Sequence, residues 1–245
     1  MNIPQAQDDA PEEEEKKRII STGQPEINKK LGGGIPVRSL ILIEGQSDAG
    51  KSVLCQQITW GSLNSGFRVV MFTTENTVKS MVPQMDSLGL GILHHLLMGN
   101  FKIYPIPSSA ITRDPKGVFD RILESMGRLE GYELFIVDSL TPMVTQSSGD
   151  VALNYFEKCK HYCDKGKTII NVAHTYAFEQ DFLVRTRSVC DAHLKLIIEK
   201  VGDKLVKSLE VSKIRGAALS TGNILSFDVE PQIGIKIMPM SRAKA

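Results

Sequence analysis

Short, uniformly apolar runs recur along the chain, each followed by a longer stretch in which apolar side chains return every three or four residues. The runs at residues 39–44, 68–73, 134–139 and 168–174 are rich in Val, Ile and Leu with little polar alternation, so each predicts a strand covered on both faces. A weaker strand is expected at 101–104. Helices are predicted between the strands. The first, amphipathic from Val53 to Ile58, runs to about Ser65 with Gly66 behind it, and the second covers 77–88 and stops at Gly89. The third, opened by Asp114-Pro115, brings Val118, Ile122, Met126 and Leu129 onto one face, and the fourth covers 151–165 and ends at Gly166. Strands alternating with helices up to about residue 174 predict an α/β fold, a mainly parallel, doubly wound sheet with helices on both faces.

From about residue 191 the texture changes. Residues 193–199, 205–213, 224–228 and 233–237 alternate apolar and polar positions, and Gly202-Asp203, Gly222-Asn223 and Gly234 separate them. This pattern predicts a C-terminal antiparallel extension of the same sheet. Before the first strand, residues 19–36 predict a short helix closed by Gly32-Gly33-Gly34. Residues 1–18 contain Glu12-Glu13-Glu14-Glu15 and no apolar periodicity, which predicts a flexible acidic tail. With no linker or repeat after it, residues 19–245 read as a single domain.

Composition narrows the functional classes. The 29 basic and 28 acidic residues leave a net charge of +1, which supplies no basic footprint for nucleic acid. No apolar run approaches the ~20 residues of a membrane span, and the acidic, polar start is unlike a secretory leader, so a cytoplasmic protein is expected. Cys159 and Cys163 are spaced to share a helix face; with no paired C-x-x-C spacing among the four cysteines, buried thiols are expected rather than a metal site.

The chemistry concentrates where the first run ends. Gly45-Gln46-Ser47-Asp48-Ala49-Gly50-Lys51-Ser52 has the form Gly-x-x-x-x-Gly-Lys-Ser between a strand and a helix, the context a phosphate-binding loop requires. Gly45 is expected to permit a tight turn and Gly50 to let the backbone approach phosphate. The loop N–H groups and the helix start would then face the anion. Lys51 would reach the β- and γ-phosphates and the Ser52 hydroxyl would ligate Mg²⁺. Asp48 would repel phosphate at close quarters, so its carboxylate is expected to point outward.

Asp138 ends an apolar strand downstream, the position for an acid that holds Mg²⁺ through a bound water. Glu75 ends the neighbouring strand; it either polarises the attacking water as a base or helps cap the helix from residue 77. His174 ends a further strand, either as a satisfied polar residue or as a sensor of the γ-phosphate. Lys213 and Arg215 share one face of a late strand, as a solvated edge or as cations presented to a nucleotide in the next subunit.

Together these segments resemble the RecA superfamily and, within it, the KaiC-like ATPases. The resemblance rests on Leu31-Gly32-Gly33-Gly34-Ile35-Pro36, the phosphate loop, Phe72-Thr73-Thr74-Glu75-Asn76-Thr77, Val137-Asp138-Ser139 and Lys213-Ile214-Arg215-Gly216. The acidic lead, Asp-Ser-Leu-Thr-Pro at 138–142 and the Asn- and His-bearing strand are most similar to the FlaH (ArlH) family, accessory ATPases of the archaeal flagellum (archaellum) motor. The resemblance implies a RecA-like P-loop fold that binds ATP and Mg²⁺ through Gly45 to Ser52, with Asp138 as the metal-side acid. Glu75 matches the first of KaiC's paired glutamates and Asn76 replaces the second, which implies tight binding with slow or absent hydrolysis. Lys213 and Arg215 match fingers that reach across a ring interface, while Arg38 stands where many relatives have Gly. By the same resemblance the chain forms a hexameric ring at the cytoplasmic base of a membrane-anchored motor, contacts the motor ATPase FlaI and the membrane protein FlaJ, and serves motility.

Two other functions stay open. One is a KaiC-like ATPase or kinase with genuine turnover, using Glu75 as base. The other is a RecA-type DNA-binding ATPase, for which Arg185 and Arg187 in a loop at 178–189 could meet phosphates.

Overall fold

A computed structural model describes residues 18–219 and 224–238. The acidic stretch 1–17 and the turn expected at Gly222-Asn223 lie outside the described residues. The elements in order are β1 (Ile19–Ile20), α1 (Pro25–Lys30), β2 (Ile35–Pro36), β3 (Leu40–Gly45), α2 (Lys51–Asn64), β4 (Val69–Thr73), α3 (Val78–Ser87), α4 (Leu93–Leu97) and β5 (Phe101–Pro105). There follow α5 (Ser108–Arg113), α6 (Pro115–Arg128), β6 (Leu134–Asp138), α7 (Thr141–Thr145), α8 (Gly149–Asp164), β7 (Thr168–His174), α9 (Gln180–Val189), β8 (Ala192–Val201), β9 (Lys204–Ile214), β10 (Ile224–Glu230) and β11 (Gly234–Ile237).

Among the described residues nine strands form one sheet in the order β11-β10-β9-β8-β3-β7-β6-β4-β5, and β1 pairs with β2 in a separate ribbon. β8, β3, β7, β6, β4 and β5 run parallel, whereas β9, β10 and β11 continue antiparallel. The antiparallel extension therefore begins one strand later than its alternating sequence suggests, because β8 lies parallel to β3 before turning into β9.

The uniform runs have a direct cause. Ile41 and Ile43 enter one core with Leu54 and Ile58 of α2, while Leu40 and Leu42 enter a second core with Phe119 and Ile122 of α6 and Tyr155 and Phe156 of α8. Both strand faces are thus buried. The late strands contribute Leu209, Val211, Leu225, Phe227 and Ile235 to the first core only, which explains their alternation.

The helix α2 is enclosed, not amphipathic. Gln56, Gln57, Thr59 and Ser62 are buried beside Leu54, Cys55 and Ile58, and Gln57 Nε2 donates to the Thr22 carbonyl at 2.9 Å. The β1–α1–β2 segment covers the side that would otherwise meet solvent. Gly61 makes this possible, since a Cβ there would lie 2.2 Å from backbone atoms of Thr22 and Gly23.

The chain leaves β3 for β4 on one side, and later crosses from β7 to β8 on the other. A crevice at the carboxyl ends of the strands follows from this reversal, and it is where open α/β sheets bind ligands.

Candidate nucleotide site

The loop after β3 is set by close packing. Gly50 has φ +92°, and a Cβ on it would meet the Phe227 ring at 3.2 Å. Gly45 has a different role from the tight turn its position suggests. It has no left-handed φ; β8 passes so close that a Cβ would stand 2.5 Å from the Leu196 carbonyl oxygen. Gly45→Ala is expected to cost about 1–3 kcal/mol in chemical denaturation, since the obstructing atom is backbone and cannot rotate away. Gln46 also ties the loop to β8, its Oε1 accepting from the Ile198 N–H at 3.1 Å. Asp48 is solvent-exposed at φ +60°, on the rim of a cleft of about 480 Å³.

Three strand ends converge on that cleft. Lys51 is buried and its Nζ donates to the Gln46 carbonyl at 2.6 Å and approaches His174 Nδ1 at 3.3 Å. Burial lowers the Lys51 pKa, opposed by the charges of Asp138 and Glu75. His174 is likewise lowered, by burial and then by Lys51, which suits a neutral imidazole accepting from the ammonium. Its ring stacks on Tyr176 with centroids 5.0 Å apart.

Asp138 is only 3% exposed, and its pKa is raised to about 7 by burial and by the charge of Glu75; a hydrogen bond from Ser52 opposes the shift. Its Oδ1 has no partner among the described residues. A buried, unsatisfied carboxylate oxygen beside a serine hydroxyl suits a hard divalent cation, so Ser52 and Asp138 fit Mg²⁺. The ends of β4 and β6 are cross-tied: Thr74 N–H donates to the Asp138 carbonyl at 3.0 Å and Ser139 N–H to Thr74 Oγ1 at 3.1 Å.

Glu75 lines the cleft and does not cap α3. Thr77 caps that helix in a reciprocal pair with Ser80. Asn76 is committed elsewhere, its Oδ1 accepting from Ser80 Oγ at 3.2 Å.

Lys213 and Arg215 stand at the other end of the sheet, beside the start of β3. The β8–β9 register shifts at His193/Leu194, leaving Ser212 as an extra residue. Before this bulge Leu209 and Val211 face the α2 core, and after it Ile214 does, so Lys213 and Arg215 are turned to the α9 side. Lys213 Nζ donates to the carbonyls of Cys190 at 2.7 Å and Arg187 at 3.2 Å, and Arg215 to that of Ser188 at 3.4 Å. The Arg215 N–H bonds Asp191, whose own N–H bonds Leu40 at the start of β3, so these cations lie about 15 Å from their own phosphate loop.

Residues 20–242 match the family model described as "ATPase: KaiC". The archaeal flagellar ATP-binding protein FlaH of Sulfolobus acidocaldarius is 30% identical over 230 residues, covering 93% of this chain and all of the relative. The chain belongs to the FlaH family of KaiC-like ATPases. The FlaH of Methanocaldococcus jannaschii is 28% identical over 220 residues, covering 89% of this chain and 94% of the relative. A crystal structure of the flagellar accessory protein FlaH from that organism superposes with a TM-score of 0.79 at 27% identity, over 89% of this chain and 97% of that one.

Within this KaiC-like frame the segment expected as a loop at 178–189 is the helix α9. Its Leu183 and Thr186 pack inward while Arg185 is exposed. Arg187 pairs with Glu44, which also accepts from His193 Nε2 at 3.0 Å. Sequence reading missed this cluster because Glu44 sits inside an apolar run with nothing nearby in the chain to mark a partner. It also missed Lys207, Gln84 and Val229, which line the cleft from β9, α3 and β10. For Lys207 a signal existed: it alternates in phase with Leu209 and Val211, and so faces α2.

The four cysteines are buried and unpaired, burial pushes Cys159 up to about 12, and no metal-binding cluster occurs among the described residues. No helix among the described residues is long and apolar enough to cross a membrane.

Proposed function

We propose that this FlaH-family chain is an ATP·Mg²⁺-binding component of the archaeal flagellum machinery whose nucleotide occupancy governs assembly. ATP would sit on Gly45 to Ser52 and order a ring, six-membered by family resemblance, at the cytoplasmic base of the motor. Occupancy would then control contact with the motor ATPase FlaI and the membrane protein FlaJ. The observation that carries this reading is the asymmetry of the cleft. Its binding side is well furnished, with Lys51 braced against Gln46 and His174 and an orphaned Asp138 oxygen beside Ser52. Its hydrolytic side has one carboxylate, Glu75, while Asn76 is held by Ser80.

The chain's residues divide the work. Lys51 neutralises the β- and γ-phosphates, and the loop N–H groups and α2 start bind their oxygens. Ser52 and Asp138 would hold the cation, which when bound would supply positive charge to the triphosphate. His174, touching Lys51, couples the γ-phosphate position to β7. Lys213 and Arg215, too far from their own loop, serve the neighbouring subunit's nucleotide.

Size-exclusion with light scattering tests this, with and without ATP·Mg²⁺. Nucleotide is expected to shift the chain to a larger species, with ATP retained on purification. Lys51→Ala is expected to weaken ATP binding by about a hundredfold and abolish the shift, as loss of a buried charge contact to phosphate should. Unchanged affinity in that variant, or no effect of ATP on assembly, would contradict the proposal.

The placement of Glu75 supports a second reading, a true ATPase with Glu75 as base. Turnover abolished by Glu75→Gln with ATP binding retained would favour it. The ion pair of Arg187 with Glu44 counts against one of the two arginines on which a DNA-binding reading depended.

A further inference from the structure

We propose that Lys207 is a nucleotide-contacting residue, supplied in cis by the late strands, that holds the phosphate nearest the nucleoside. This rests on the nucleotide-binding reading above and adds a residue outside the loop that recognises the ligand.

Three observations carry it. Lys207 lines the same cleft as Gly50, Lys51 and Ser52. It pairs across strands with Phe227, whose ring abuts Gly50, and directly opposed residues on adjacent strands lie about 5 Å apart on one face. The Ser212 bulge lies beyond it, so Lys207 keeps the phase of Leu209 and Val211 and points to the α2 side, opposite to Lys213.

Charge gives the second support. Asp48, Glu75 and Asp138 all act on Lys51 within this cleft, three carboxylates against one ammonium. Mg²⁺ at Ser52 and Asp138 would offset the γ-phosphate end of an entering polyanion, and Lys207 is the cation on the other side of the loop. Lys207 makes no hydrogen bond or ion pair among the described residues, and it is half-buried, so its ammonium is both available and poorly screened.

Position along the sheet selects the phosphate. Lys51, His174, Asp138 and Glu75 gather on the β7–β6–β4 side of β3, where the metal-side acid belongs, while Lys207 comes from the opposite side, beyond β8. A nucleotide laid along the loop therefore points its γ-phosphate toward β6 and its nucleoside toward β9 and β10. Val53 on the first turn of α2 and Val229 on β10 give that end apolar walls, with Gln84 as a polar group on the rim. The ligand class is a nucleoside di- or triphosphate gripped at its α-phosphate by Lys207.

The test is titration calorimetry of the full chain with ATP and ADP, for the natural sequence, Lys207→Met and Lys207→Arg, with thermal unfolding confirming that each is folded. Lys207→Met is expected to weaken ATP and ADP by the same factor, about tenfold, and to flatten the salt dependence of binding; Lys207→Arg is expected to restore most of the affinity. Unchanged affinity in Lys207→Met would overturn the proposal while leaving nucleotide binding intact. A loss for ATP much greater than for ADP would overturn it as well, by moving the contact to the γ-phosphate. Absence of binding by the natural sequence would defeat both readings.

Discussion

Near pH 8 and without nucleotide, Asp138→Asn is expected to be more stable than the natural chain, by about 2–4 kcal/mol in denaturant unfolding. Burial, and then the charge of Glu75, raise the Asp138 pKa from 3.8 to about 7. Below the unfolded value both states hold the proton and the carboxyl costs nothing. As pH rises toward 7 the unfolded chain releases its proton while the folded chain resists, so stability falls; above 7 the deficit is constant. The advantage of Asn should therefore shrink to nothing only below the unfolded value, toward about pH 3, and a gain independent of pH would contradict this account. The same variant should lose Mg²⁺-dependent tightening of nucleotide binding. A cation bound at Asp138 would relieve this penalty by favouring the ionised carboxylate.

The second large effect lies beneath the loop. Arg187→Met is expected to cost about 3 kcal/mol of stability, read as a lowered denaturation midpoint, because it strands a buried charge. Glu44 is wholly buried at the end of β3, and the Arg187 side chain is 33% exposed. Burial alone would raise the Glu44 pKa, yet hydrogen bonds from His193 and Arg187 outweigh it and hold the group below its ordinary 4.5. A depressed carboxylate contributes stability above its unfolded pKa and loses it as pH falls through the lowered value, so the natural chain should keep this contribution down into the acid range. Combining Arg187→Met with Glu44→Gln should recover much of the loss. If the double variant were as unstable as the sum of the two singles, the ion pair would not be the cause.

These two sites differ in how far the sequence announced them. The place of Asp138 at a strand end near the loop was legible because an acid closes an apolar run, and the loop because its glycines and Lys51 come in a fixed order. The sheet was legible for the same reason as its cores: strands buried on both faces read as unbroken Val, Ile and Leu. Glu44, Arg187 and His193 were not, since their meeting depends on α9 folding back over β3, and no local spacing encodes that. The role of Gly45 was misread because close approach of β8 is a tertiary event, whereas a turn is a local one. The enclosure of α2 escaped notice because its buried Gln57 and Ser62 look solvent-facing until the N-terminal ribbon covers them. The short helices α4, α5 and α7 carry too few residues to show a period.

The bulge at Ser212 turns the two ends of β9 to opposite faces. Lys207 near its start and Arg215 just past its end are about 25 Å apart along the strand and face opposite sides of the sheet. β9 is laced to both β8 and β10 over Lys207–Glu210 and to β8 alone from Val211 to Ile214, so its ends behave like the jaws of a calliper mounted on β8. In any closed assembly of this chain where one rim abuts the next, the spacing between successive nucleotides would be gauged by the pleat of a single strand, not by the give of a loop. Deleting one residue from β9 would shorten the calliper and reverse the facing of one jaw at the same time.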